Sequence, residues 1–159
     1  PVLDTLLYLK RETASWLEIT TLLIPGLNDS EREIEAEAGW IYENLGPDVP
    51  LHFSAFHPAW KLTTLPPTPA ETLSRAREIA QRAGLRYVYT GNVHDPAGQS
   101  TWCHRCGECL IARDWYRLLK WNLTRDGRCA SCNTPCAGHF ADPPRQPESI
   151  RRRIDPGGS

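Results

Sequence analysis

Trp16-Leu17-Glu18-Ile19-Thr20-Thr21-Leu22-Leu23-Ile24 runs into Pro25-Gly26. Nine residues rich in apolar and β-branched side chains, stopped by a Pro-Gly pair, predict a buried strand. The residues just after it set the class. Ser30 and Glu33 stand at capping-box spacing, with Asp29 also available to the helix start. Ile34, Ala38, Ile41 and Leu45 then draw one apolar stripe, which Gly46 and Pro47 end.

The same alternation continues in both directions. Leu51-His52-Phe53-Ser54-Ala55-Phe56 reads as a second strand, running into His57-Pro58. After a loop over residues 57–67, Thr68-Pro69-Ala70-Glu71 forms a second capping box with Pro at the first helical position. Leu73, Ala76, Ile79, Ala80 and Ala83 mark the buried face of that helix, and Gly84 closes it. Leu85-Arg86-Tyr87-Val88-Tyr89-Thr90 is a third strand. Upstream, Leu3, Leu6, Leu7 and Lys10 predict a short helix over 2–10, with Pro1 suited to its first turn. Helix and strand alternating three times with short connections predict an α/β fold with parallel strands. Three such units cannot close a barrel, and their outer strands would have unpaired edges. The sequence therefore reads as part of a larger sheet whose N-terminal portion is missing.

The 159 residues are 40% hydrophobic and 23% charged, with a net charge of -1, the balance of a soluble globular protein. That charge gives no general pull toward nucleic acid or membrane. No apolar run approaches the ~20 residues needed to cross a bilayer, and the N-terminus does not resemble a signal peptide. The expected setting is the cytoplasm, where six cysteines read as metal ligands rather than disulfides. The chain contains no methionine and starts at Pro1.

Past Asn92 the character changes. Residues 93–101 form a polar linker, and a cysteine module comes after it. Cys103-His104-Arg105-Cys106-Gly107 and Cys129-Ala130-Ser131-Cys132-Asn133 are two C-x-x-C knuckles, with 22 residues between Cys106 and Cys129. Zinc takes four thiolates in a tetrahedron, and each knuckle supplies two from one tight loop. The residue after each second cysteine often needs positive φ. Gly107 adopts it freely and Asn133 is the next best choice. Two strands from Leu110, Ile111, Trp115, Tyr116, Leu118, Leu119, Trp121 and Leu123, with a turn at Arg125-Asp126-Gly127, would make the hairpin of a zinc ribbon. Four thiolates leave no open coordination position, so the metal is expected to be structural. Cys109 and Cys136 extend the two knuckles to spacings that an iron–sulfur cluster could also use. Otherwise Cys109 begins a ribbon strand and Cys136 is incidental. His104 and His139 are expected to be solvated. From Ala141 onward Pro, Arg and Gly dominate, and residues 141–159 read as a disordered tail.

Four pieces in order resemble radical S-adenosylmethionine (SAM) enzymes. They are Leu17 through Ser30, Pro50-Leu51-His52-Phe53-Ser54-Ala55-Phe56-His57-Pro58, Leu65-Pro66-Pro67-Thr68-Pro69, and Tyr87-Val88-Tyr89-Thr90-Gly91-Asn92-Val93. With the two knuckles behind them, they are similar to the C-terminal half of AmmeMemoRadiSam-system radical SAM enzymes, relatives of the pyruvate formate-lyase activating enzymes. The resemblance covers about residues 1–140. It implies that residues 1–96 are the C-terminal β/α units of a partial (β/α)6 radical SAM barrel, that residues 97–140 are an appended zinc ribbon, and that the tail comes last. In that family a [4Fe–4S] cluster held by a C-x-x-x-C-x-x-C loop cleaves SAM reductively to a 5′-deoxyadenosyl radical, which abstracts hydrogen. Neither cysteine group here has that spacing, so the cluster ligands are expected outside this chain. The chain by itself is expected not to run the reaction, and no catalytic residue is assigned. The resemblance places His57 where activating enzymes hold a histidine near SAM at a strand end. Thr20 stands where they show a SAM-contacting arginine, so only a hydroxyl is offered there. Ile24, Pro25 and Gly26 read as strand-end architecture. A protein partner at the ribbon is a further expectation, as is a ribbon that covers the barrel mouth.

The competing reading is a free-standing zinc-ribbon module that binds nucleic acid or protein. Arg105, Arg113, Arg117, Lys120, Arg125 and Arg128 beside Trp102, Trp115 and Trp121 would serve that purpose. Against it, a module this small needs its tryptophans as core. Trp60-Lys61 reads as an ordinary surface loop, Arg151-Arg152-Arg153 as a solvated end, and the Glu31, Glu33, Glu35, Glu37 run as a wet helix face.

Overall fold

Residues 1–60 and 64–140 are described by the computed structural model. The tail expected to be disordered, with Arg151-Arg152-Arg153, lies outside the described residues, as does Lys61. Helix α1 (Val2–Glu12) leads into strand β1 (Ile19–Leu23), helix α2 (Glu31–Leu45), strand β2 (Leu51–Ala55), helix α3 (Ala70–Arg82) and strand β3 (Val88–Gly91). The three strands pair in parallel in the order β1-β2-β3, as the alternation predicts. The mixed α/β class therefore holds.

Helices α2 and α3 bring the stripes read from sequence, Ile34, Ala38, Ile41 and Leu45 with Leu73, Ala76, Ile79 and Ala80, onto one face of the sheet. There they meet Leu23, Leu51, Phe53, Ala55 and Val88. Each fully buried large side chain contributes roughly 1.5–3 kcal/mol of transfer free energy. The register places two rows on the other face: Thr20, His52 and Tyr89, then Leu22, Ser54 and Gly91. That face is open at β1, where only Leu23 is buried and Leu22 is exposed. The strand read as wholly buried is thus buried on one side and is shorter than its apolar run.

Local expectations meet local chemistry. Ser30 caps α2 by accepting from the Glu33 amide, but Asp29 instead accepts from the Gly26 amide and serves the preceding turn. Glu37 is not on the wet face: it is half-buried and bonded to the Thr21 hydroxyl on β1. Thr68 does not cap α3. It is buried at the strand ends, donating to the Leu23 carbonyl at 2.6 Å and accepting from the Phe56 amide at 3.0 Å. These two backbone groups would otherwise be orphaned, and their need outweighs that of an exposed helix start.

The expected linker contains a one-turn helix, α4 (Pro96–Gln99), capped by Asp95, whose side chain accepts from the Gly98 amide. Strands β4 (Thr101–Trp102), β5 (Cys109–Asp114) and β6 (Arg117–Trp121) then form an antiparallel sheet in that order. The hairpin turns at Trp115-Tyr116, with Trp115 at φ 51°, not at Arg125-Asp126-Gly127. The latter turn, with Gly127 at φ 72°, feeds the second knuckle. Trp102 and Trp115 are exposed and do not fill the module's core, which consists of Leu110, Ile111 and Leu123 with Cys103, Cys129, Cys136 and Tyr87.

Candidate metal centre

Two loops of matching geometry carry the four predicted cysteines. In the first, the Gly107 amide donates to the Cys103 carbonyl at 2.9 Å, and the Cys103 amide donates to the Glu108 carbonyl at 2.8 Å. In the second, Asn133 donates to Cys129 at 2.8 Å, and Cys129 donates to Thr134 at 2.9 Å. Gly107 at φ 73° and Asn133 at φ 60° occupy the left-handed conformation that the sequence required of them.

The loops face each other so that the sulfurs of Cys103, Cys106, Cys129 and Cys132 all lie within 4.8 Å of one another. Cys103 and Cys132 approach to 3.6 Å, and Cys106 and Cys129 to 3.7 Å. A tetrahedron of thiolates ~2.3 Å from zinc has edges of about 3.8 Å. The spacing fits one such ion, exceeds that of a disulfide, and is tight for a four-iron cubane, whose sulfurs must straddle a larger body. Cys109, at the start of β5, and Cys136, buried beside Tyr87, lie outside the group.

The thiols are unequal before any metal acts on them. The Thr134 hydroxyl, 3.2 Å from the Cys132 sulfur, and then the Thr134 amide pull Cys132 down to about 6, against the penalty of desolvation. At Cys106 the Glu108 amide pulls downward, but the neighbouring thiols and desolvation outweigh it and push the group up to about 12. Four like charges so close cannot form without a cation. Metal binding must therefore release protons, and affinity falls as pH falls. His104 is exposed, its pKa lowered by desolvation and by Arg86. His139 is exposed and edge-on to Trp16, ring centroids 5.7 Å apart.

The module leans on β3 and on the lower part of the open sheet face. Tyr87 Oη accepts from the Ala137 amide at 2.9 Å, and the Tyr89 and Thr101 hydroxyls lie 2.9 Å apart. Burial pushes both phenols up. Its knuckles meet the sheet at Tyr87, which precedes β3, so they sit at the N-terminal end of the strands and not over the end that carries His57. Between module and sheet lies a cavity of about 500 Å³. His52 lines it, stacked on Tyr89 with centroids 5.0 Å apart and bonded through Nε2 to Glu18 Oε2 at 2.8 Å. No sequence signal marks this cavity, because its walls come from segments without a common motif.

His57 is exposed at the C-terminal end of the sheet, its Nε2 3.0 Å from the Asn92 carbonyl. Asn92, at φ 59°, also donates from Nδ2 to the Ala55 carbonyl at 3.3 Å and so ties the ends of β2 and β3 together. Thr20 is exposed, three residues short of the end of β1, about 10 Å lower at ~3.3 Å per residue. The two residues share the sheet but do not meet. Ligands of parallel sheets gather at the C-terminal ends of strands, the end that holds His57. Among the basic residues weighed for nucleic acid, Lys120 pairs with Glu108 and Arg128 with Asp126.

Fold and cysteine cluster together define a mixed α/β protein with a candidate four-cysteine metal centre. An uncharacterized protein of Methanocaldococcus jannaschii is 42% identical over 133 residues, which are 83% of this chain and 40% of that protein. The chain thus spans about two fifths of the length of the curated relative it matches. No family model matches the chain, and no solved structure does. No helix among the described residues is long and apolar enough to cross a membrane.

Proposed function

We propose that this chain is the C-terminal part of a radical SAM enzyme of the activating-enzyme type, with a structural zinc ribbon appended. One observation carries the reading. The parallel β1-β2-β3 sheet is covered by helices on one face only, with β1 at an open edge and the His57–Asn92 pair at its C-terminal end. Such a sheet suits the last units of a partial barrel, whose second face would look into the lumen. The relative has three fifths of its length outside the match, which is room for the remaining units and a cluster loop.

In this reading His57 binds SAM at the rim and Thr20 offers a hydroxyl from within. The four cysteines hold Zn2+ and the setting is the cytoplasm. The tight thiolate group does not fit a [4Fe–4S] cluster, whose ligands would lie outside this chain. With one electron from that cluster, SAM would divide into methionine and a 5′-deoxyadenosyl radical, which abstracts hydrogen from the substrate. The knuckles of the ribbon meet the sheet beside Tyr87, away from His57, and are free to meet a partner protein.

The test is made on the longer polypeptide that carries this chain. Supplied with iron, sulfide, SAM and a strong reductant, it should show iron–sulfur absorbance and release 5′-deoxyadenosine. His57→Ala should weaken SAM binding in a titration. A polypeptide that binds zinc alone and forms no deoxyadenosine refutes the enzyme reading and leaves the binding module in its place.

A further inference from the structure

We infer that the cavity between the open sheet face and the cysteine module is a binding site for a small carboxylate with a flat, ring-sized body, gripped by Arg113. The inference stands on this cavity alone and does not depend on the radical reaction. Its volume of about 500 Å³ lies within the ~300–1,000 Å³ typical of small-molecule sites.

Arg113 is built in as an anchor. Its Nη1 donates to the Thr101 hydroxyl at 2.8 Å and to the Gln99 carbonyl at 3.2 Å, and its guanidinium carbon lies 5.9 Å from the centre of the Tyr89 ring. Among the described residues no carboxylate pairs with it, and only Nη1 makes hydrogen bonds. The acid that does line the cavity, Glu18, is already held by His52 Nε2 at 2.8 Å and by Trp16 Nε1 at 2.7 Å. A guanidinium fixed at one nitrogen and resting on a ring keeps its other N–H groups in a rigid fork, the shape that takes a carboxylate through two parallel bonds. A single cation matches a singly charged carboxylate better than a phosphate dianion.

The walls select the body of the ligand. His52 and Tyr89 present stacked rings, 25° from parallel, and Trp16 and Trp115 add two indoles. Such surfaces reward a flat apolar body and offer little to a branched one. The sheet supplies the wall and the cysteine module supplies the charge, so the site exists only while the two stay docked.

Benzoate serves as the probe and benzamide as its neutral match, titrated into the zinc-loaded chain. The indole 1H–15N resonances of Trp16 and Trp115 report filling, and that of Trp40, on α2 against the opposite sheet face, serves as the remote control. Benzoate should shift the two cavity indoles saturably and leave Trp40 in place. Benzamide should bind roughly ten- to a hundredfold more weakly, the loss expected for a charge-assisted fork. Arg113→Gln should lose benzoate by the same factor. No saturable shift up to the solubility limit of benzoate, or equal binding of benzamide, overturns the inference. Because Arg113 also braces β4, the benzoate–benzamide comparison on the unmodified chain decides the matter should the variant fail to fold.

Discussion

Leu23, Ile34, Ile41, Leu51, Phe53, Leu73 and Ile79 are almost wholly shut from solvent between the parallel sheet and its helices. In the cysteine module the buried aliphatic side chains are Leu110, Ile111 and Leu123, and three of its buried neighbours are cysteines. The first region holds together by apolar burial. The second has too little apolar surface to offset the entropy of ordering its loops, and it borrows Tyr87 from the first region. A metal held by the four cysteines would therefore take the place of a core in the second region, while the first should stand without it.

The largest expected effect breaks the module alone. Cys129→Ser removes a buried candidate ligand, and structural zinc in finger-sized units is worth about 10–16 kcal/mol of folding free energy. The variant should lose zinc, and the amides of β5 and β6 should lose protection in hydrogen exchange. The amides of α2, α3 and β2 should keep theirs. Chelation of the parent protein should do the same, and acidification should release zinc because the thiolates must take up protons. A module that stays protected after the metal is stripped would show that its side chains suffice.

A smaller change sharpens the other half of the contrast. Thr68→Val keeps the shape at the strand ends but orphans the Leu23 carbonyl and the Phe56 amide. Loss of about 1–3 kcal/mol is expected in denaturant unfolding, with zinc content unchanged. Thr68→Ser should recover most of it. Equal stability of the valine variant would mean that water reaches those groups.

How much of the molecule is legible in its sequence depends on the range of each interaction. The stripe Ile34, Ala38, Ile41, Leu45 and the left-handed positions Gly107 and Asn133 are local, and their periodicity or backbone need is written in the sequence. The cluster of Cys103, Cys106, Cys129 and Cys132 is legible for the same reason, since a knuckle is five residues long. Thr68, Glu37 and Arg113 are not. Each is placed by a partner far along the chain, Leu23, Thr21 and Tyr89 respectively, and no local rule could choose that partner over the cap or the solvated face. The hairpin turn departs from its expected place because Gly127 outranks Trp115 in turn propensity, whereas pairing of Asp114 with Arg117 forces Trp115 into positive φ.

The smallest effect tests the interior of the first region. Burial pushes the Glu37 carboxyl up from its ordinary value, and the hydrogen bond from Thr21 pulls it back by less. A carboxyl whose folded pKa lies above its unfolded one binds its proton more readily in the native state. Ionised Glu37 therefore costs stability above the folded pKa, and the cost fades as pH falls through that pKa toward the ordinary carboxylate range. Glu37→Gln keeps an acceptor for Thr21 without the charge, so it should be more stable than the parent at neutral pH by up to about 1 kcal/mol. The advantage should close on acidification. Hydrogen exchange of the α2 amides at several pH values measures it within the region expected to stand without a metal. A gap that stays constant with pH would mean that Glu37 remains solvated, and the first region would then seal its core without burying a charge.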